Sequence, residues 1–213
     1  MSTFLRLASS IYLFSYLITT HAAVDPRSLT KVTKDNNPNC VEYYNYKNEV
    51  YCGTKASETS TPVDPKIKDY EKQLIIFDER PWQVGWGKQS DEITTIEYVP
   101  AGENVEQWQE LITSQFIPGL QDKMTVQQFA EGFVQQLQNS GFKPIVSIIE
   151  TTPEQILFEF RITSPENVKQ DELQLVTKGK DGFYILHYAI KKADMGQENR
   201  DKWVQNLKKS KLK

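Results

Sequence analysis

The sequence is short of the residues that most often carry chemistry. It contains two histidines and two cysteines. His21 sits in the leading segment, which leaves His187 as the single imidazole of the remaining chain. No H-E-x-x-H pair, no G-x-S-x-G nucleophile turn and no D-x-D-x-D-G loop occurs, so zinc hydrolysis, serine acyl transfer and EF-hand calcium binding lack their recognisable starting points. The stretch "GWGKQS" at 85–90 is glycine-rich but has neither the spacing nor the following helix of a phosphate loop. "DEITTIE" and "QDELQ" hold acids whose spacing scatters them over strand faces. A carboxylate pair for glycoside cleavage is a three-dimensional quantity, and nothing singles out two of these. No catalytic residue, metal ligand or cofactor is therefore expected, and His187 reads as a structural mid-strand histidine sharing a face with Phe183, Ile185 and Ala189.

A basic surplus is also missing. Lys and Arg number 25 against 28 Asp and Glu, a net charge of −3, whereas binding a phosphate backbone wants cations in excess. Nucleic acid is not an expected partner. Long apolar runs are absent as well. The longest, "LASSIYLFSYLITT", is about 14 residues against the ~20 of a bilayer-spanning helix. It follows "MSTFLR" and precedes "THAA", which puts Thr20 and Ala22 at the −3 and −1 positions of a small-residue cleavage site. That is the pattern of a secretory signal peptide over residues 1–22. The competing reading is an uncleaved anchor. The first cysteine after the apolar run is Cys40, too distant for a lipoprotein. Cleavage removes Arg6 and no acid, leaving 24 cations and 28 acids, or −4. The expectation is an exported protein, periplasmic or secreted, with no membrane span after cleavage.

The two cysteines fit that compartment. They bracket "CVEYYNYKNEVYC", and if Asn45, Tyr46 and Lys47 form a three-residue turn, Tyr44 faces Asn48 and Cys40 faces Cys52. Opposed strand residues lie within disulfide reach, and an oxidising compartment lets the bridge persist. A zinc half-site is the alternative, but it lacks further ligands. Tyr43, Tyr44, Tyr46 and Tyr51 crowd this hairpin and cannot all be buried within it. They are candidate partner-binding residues, or else the hairpin folds against its own domain. Residues 23–39 are a polar lead. Residues 54–66, "TKASETSTPVDPK", have the composition of a linker, so 23–69 reads as an N-terminal extension whose stapled hairpin is separate from the main domain.

The main domain is expected over 70–213. "KQLIIF" and "WQVGWG" are strands, the second with Trp82, Val84 and Trp86 on one face. Gly85 and Gly87 then lie opposite, open to a packed helix or to a ligand. "EITTIEYVP" is a strand that Pro100 ends. Asn104 and Gln107 spell a capping box, and Val105, Trp108, Ile112 and Phe116 follow at helical spacing. A helix over 105–117 is predicted, with Trp108 in its core stripe. Thr125 with Gln128 repeats the device for a helix to Asn139 carrying Val126, Phe129, Ala130, Phe133, Val134 and Leu137. Four strands follow, in "KPIVSIIET", "EQILFEFRIT", "DELQLVTK" and "GFYILHYAIKK". Short turns at Thr152-Pro153 and Lys180-Gly182 make their neighbours antiparallel. A last helix is expected from about Asp194 to Lys209 with Trp203 and Leu207 inward. Strands, two helices, strands and a helix make an α+β plan, a mostly antiparallel sheet with helices packed on it.

The junction "EYVPAGENVEQWQELIT", with Pro100, Gly102, Glu103, Trp108 and Glu110 to Thr113, resembles that of the PsbP/Mog1-like α/β/α sandwich over roughly residues 70–210. It is also similar to uncharacterised exported proteins of Legionella-type intracellular bacteria. The resemblance implies a non-catalytic fold that binds other proteins or assists their assembly, and it carries over no catalytic residue. An exported interaction or assembly protein is the expected function. A small-ligand carrier with a cleft near Gly85 and Gly87, and a hydrolase whose acids meet only in space, are the alternatives.

Overall fold

Thr125 and Gln128 close the capping box. Gln128 N–H donates to Thr125 Oγ1 at 3.1 Å, and Thr125 N–H donates to Gln128 Oε1 at 2.9 Å. Helix α1 (Val126–Asn139) follows. Its whole expected stripe packs into one apolar cluster, with Val126 and Ala130 buried and Phe129, Phe133, Val134 and Leu137 at its margin. Helix α2 (Gln197–Lys209) begins just after Gly196, whose φ is +80°, and buries Trp203 and Leu207. The computed structural model describes residues 24–33, 36, 40–55 and 65–213. The expected signal peptide and most of the expected linker lie outside them.

Twelve strands are described: β1 (Thr30–Lys31), β2 (Glu42–Tyr46), β3 (Glu49–Gly53), β4 (Gln73–Leu74), β5 (Trp82–Gln89), β6 (Thr94–Pro100), β7 (Glu110–Pro118), β8 (Ile145–Thr151), β9 (Gln155–Ile162), β10 (Gln170–Lys178), β11 (Gly182–Ile190) and β12 (Lys211–Leu212). Ten form one sheet in the order β1-β3-β2-β5-β6-β7-β11-β10-β9-β8, and β4 pairs with β12. Every neighbouring pair is antiparallel. The architecture is α+β. Successive residues of β9 alternate between two cores: Leu157 belongs with Trp203 of α2, and Phe158 with the α1 cluster. Each helix thus serves the side chains of opposite parity.

The predicted helix over 105–117 is not formed. Asn104 does cap, accepting from Glu106 N–H at 2.8 Å, but the turn lasts only from Val105 to Gln107 before the chain enters β7. Ile112 pairs with Tyr98 on one side and Tyr188 on the other. A mid-sheet strand covered on both faces needs apolar side chains at both parities, and Leu111, Ile112 and Phe116 then imitate helical spacing. "KQLIIF" likewise contributes only the two residues of β4.

A bulge between Val84 and Trp86 changes the expected face of β5. Trp82 is fully buried against α2, whereas Trp86 pairs with Glu97 and is 42% exposed. Gly85 and Gly87 admit Val105 and Ile67. A Cβ added at either would lie 2.9 Å from Val105 Cβ or 2.5 Å from Ile67 Cγ2. The space at these glycines, open in the sequence reading to a packed element or to a ligand, is taken by the chain itself, through Val105 and Ile67 rather than a helix of the predicted 105–117 span.

Candidate functional site

The hairpin forms, in a different register. Lys47 and Asn48 both have positive φ, 52° and 59°, the signature of a two-residue turn whose twist matches the strands. Tyr46 then faces Glu49, and Cys52 faces Tyr43 rather than Cys40. Cys40 lies before β2 and still bridges to Cys52, with Cα atoms 5.3 Å apart. The hairpin does not stand apart from the domain. β2 pairs with β5 through Tyr44–Gln83 and Asn45–Trp82, and β1 covers β3. Tyr44 is 2% exposed, its ring lies against Gly53 and its hydroxyl donates to Glu42. It is not presented to a partner. Tyr46 and Tyr51 meet edge to face at 5.5 Å, and they and Tyr43 are half-buried.

Cross-strand registry aligns a row over seven strands: Trp86, Glu97, Thr113, His187, Gln174, Phe158 and Ile148. Its centre is polar although close to buried. His187 Nδ1 is 2.6 Å from Glu172 Oε1, and its Nε2 is 3.2 Å from Gln115 Oε1. Gln174 Nε2 donates to Glu172 Oε1 at 2.7 Å. Burial pushes the Glu97 carboxyl up, and the proximity of His187 works against that rise. Both nitrogens of His187 are held by protein partners. The ring therefore serves to join β7, β10 and β11. Among the described residues, no group of three or more His, Cys, Asp or Glu is placed to hold a metal ion.

Two ion-pair clusters lie on the α2 side. Arg80 donates to Asp78 Oδ2 and to Glu110 Oε2, both at 2.7 Å. Arg200 donates to Glu159 Oε1 at 2.8 Å and reaches Asp171 Oδ2 at 3.4 Å. Asp78 also accepts from the Trp82 indole N–H at 2.9 Å. Burial would raise Asp78 and Glu110, but the hydrogen bonds from Arg80 outweigh it and hold both carboxyls below their ordinary values. These clusters anchor loops and the α2 N-terminal turn to the sheet.

The most open apolar feature is β8. It is the last strand of the sheet, and all seven of its residues are exposed. Ile148 is 55% exposed, Ile145 48%, Ile149 39% and Val146 36%. Edge strands are usually blunted by shortness, lysine or proline, because unpaired N–H and C=O groups are a template for another chain. The opposite edge follows this rule, since β1 is two residues long and ends at Lys31. β8 has neither lysine nor proline. Beside it runs a groove of about 390 Å³ between α1 and the sheet, floored by Ala130, Val134, Val146, Ile148, Ile156 and Phe158. Its rim is uncharged glutamine, Gln127, Gln135 and Gln138, apart from Glu131. Sequence reasoning found the β8 strand but not its position at the edge. Apolar residues at both parities look the same in an edge strand as in a fully covered one.

Among the described residues no helix is long and apolar enough to cross a membrane. No curated protein matches the chain. Residues 70–213 match the model of a bacterial family of uncharacterised function, and the chain belongs to that family.

Proposed function

We propose, with membership of that family as the premise, that this is an exported, non-catalytic interaction or assembly protein that engages polypeptide through the β8 edge and the groove beneath α1. The observation that carries the reading is a seven-residue sheet edge, exposed along its length, with four large apolar side chains and no lysine or proline. An added strand can satisfy its outward backbone groups while side chains settle against α1, which is the mode of β-strand addition. Export, to the periplasm or beyond, is supported by the Cys40–Cys52 bridge. Residues 1–22 would leave as the signal peptide, and 23–69 would form the extension ahead of the 70–213 unit. A PsbP/Mog1-like α/β/α sandwich belongs to this reading and is supported by the alternation of β9 side chains between the α1 and α2 cores, and kinship with exported proteins of Legionella-type bacteria is proposed alongside it. The half-buried Tyr43, Tyr46 and Tyr51 are a second contact surface in this reading.

A photo-crosslinking residue at position 148 tests it in the exported fraction. The expected result is a discrete crosslinked protein species, with none formed by the same probe at position 201 on the outer face of α2. Absence of any protein crosslink at 148 overturns the reading.

A further inference from the structure

We infer that the occupant of the β8 edge is a second copy of this chain, paired antiparallel about a two-fold axis through Ser147. The inference rests on the proposed use of that edge and names its partner. A two-fold contact requires a patch that complements itself. The strand reads Ile145-Val146-Ser147-Ile148-Ile149, which is symmetric in chemical class about its serine. Antiparallel pairing centred there sets Val146 opposite the second copy's Ile148, and Ile145 opposite the second copy's Ile149. Each is a β-branched pair, of the kind that stabilises adjacent strands. No charge falls within these five positions.

Two further observations favour a self-contact. Val146 and Ile148 face the α1 side, opposite Phe160 and Phe158 of β9, so both grooves would be roofed by the new pairing. The bulge between Ile148 and Glu150 leaves Ile149 without a partner in β9, and the second copy's Ile145 supplies one. Shifting the register one or two residues one way sets Glu150 against Ile145 or Val146, and shifting it the other way carries Ile149 past the end of the partner's β8, opposite Pro144 or Lys143.

Ser147→Cys in the full-length exported protein is the direct test. On the dyad, the two introduced thiols face each other and should form an intermolecular disulfide without reductant. Thr151→Cys is the control, because in this register its two copies lie eight residues apart along the strand, on the order of 27 Å. The expected result is a covalent dimer for Ser147→Cys and none for Thr151→Cys. Sedimentation of the wild type should show a dimer, and Ile148→Lys should convert it to monomer with unchanged circular dichroism, since that side chain is mostly exposed. Equal crosslinking of the two cysteine variants, a monomeric wild type or a dimer that survives Ile148→Lys overturns the inference. If the wild type is monomeric while the position-148 probe still captures a different protein, the second-copy inference fails and the proposed function stands.

Discussion

Trp203 lies flat on Tyr188, with ring centroids 4.1 Å apart and planes inclined by 14°. Trp82 meets the same indole edge-on at 5.6 Å. The Tyr188 hydroxyl donates to Glu110 Oε2 at 2.7 Å and accepts from Asn199 of α2 at 2.9 Å. One aromatic stack therefore joins α2 to β11 and β5, and its polar end is tied to the Arg80 cluster. Trp203→Ala should cost about 3–5 kcal/mol. Urea unfolding should show a lower midpoint with an unchanged slope. The Trp203 indole N–H is buried without a hydrogen-bond partner among the described residues. Trp203→Phe keeps a stacking ring and removes that N–H, so its cost should be well under half as large. Equal losses for the two variants would show that the stack contributes little.

On the other face, Phe158 is fully buried while Phe133 of α1 is only partly so, and their rings lie 6.2 Å apart. Phe158→Ala should cost about 3–5 kcal/mol, and Phe133→Ala less, because solvent can enter the space it leaves. The double variant should cost less than the sum, since each deletion removes the other's partner. Strict additivity would mean that the two rings do not share a packing environment.

The Cys40–Cys52 bridge closes a sequence separation of 12 residues, worth roughly 3 kcal/mol on the loop-entropy account. β2 is paired in register with β5 at only two positions. Replacing both cysteines by serine should speed amide exchange in β1 to β3 and leave β6, β7 and β9 to β11 protected. Equal loss of protection throughout the sheet would show that the hairpin belongs to the same cooperative unit.

Asp171 is fully buried and accepts from the Met195 N–H at 2.7 Å. Burial is the main cause that pushes its carboxyl up to about 7; the Met195 N–H opposes the rise and neighbouring Glu159 adds to it. The folded state therefore keeps a proton that the unfolded chain releases above its ordinary value of 3.8. From this group, stability is unaffected below about pH 4, falls as pH rises to about 7 and is level beyond. Asp78 and Glu110 act with the opposite sign, but below their ordinary 3.8 and 4.5, outside that window. The melting temperature of the wild type relative to Asp171→Asn should decline between about pH 4.5 and about pH 7.5. A relative rise over that range would reverse the assignment.

Sequence alone determined the elements whose signals are local. Thr125, Gln128 and the stripe from Val126 to Leu137 specify α1 through a cap and a period that need no distant contact. The short turns after β8 and β10 dictate antiparallel neighbours, and two cysteines with one remaining histidine favour a disulfide over a metal site. Tertiary structure decided everything that depends on which strand lies beside which. Leu111, Ile112 and Phe116 read as a helix until β6 and β11 cover β7 on both sides. His187 gains its role only because registry brings Gln115 and Glu172 to its two nitrogens. "IVSIIET" carries no mark of an edge, since the same apolar residues suit a covered strand. What exposes them is the end of the sheet, where β9 pairs on one side and no strand among the described residues pairs on the other.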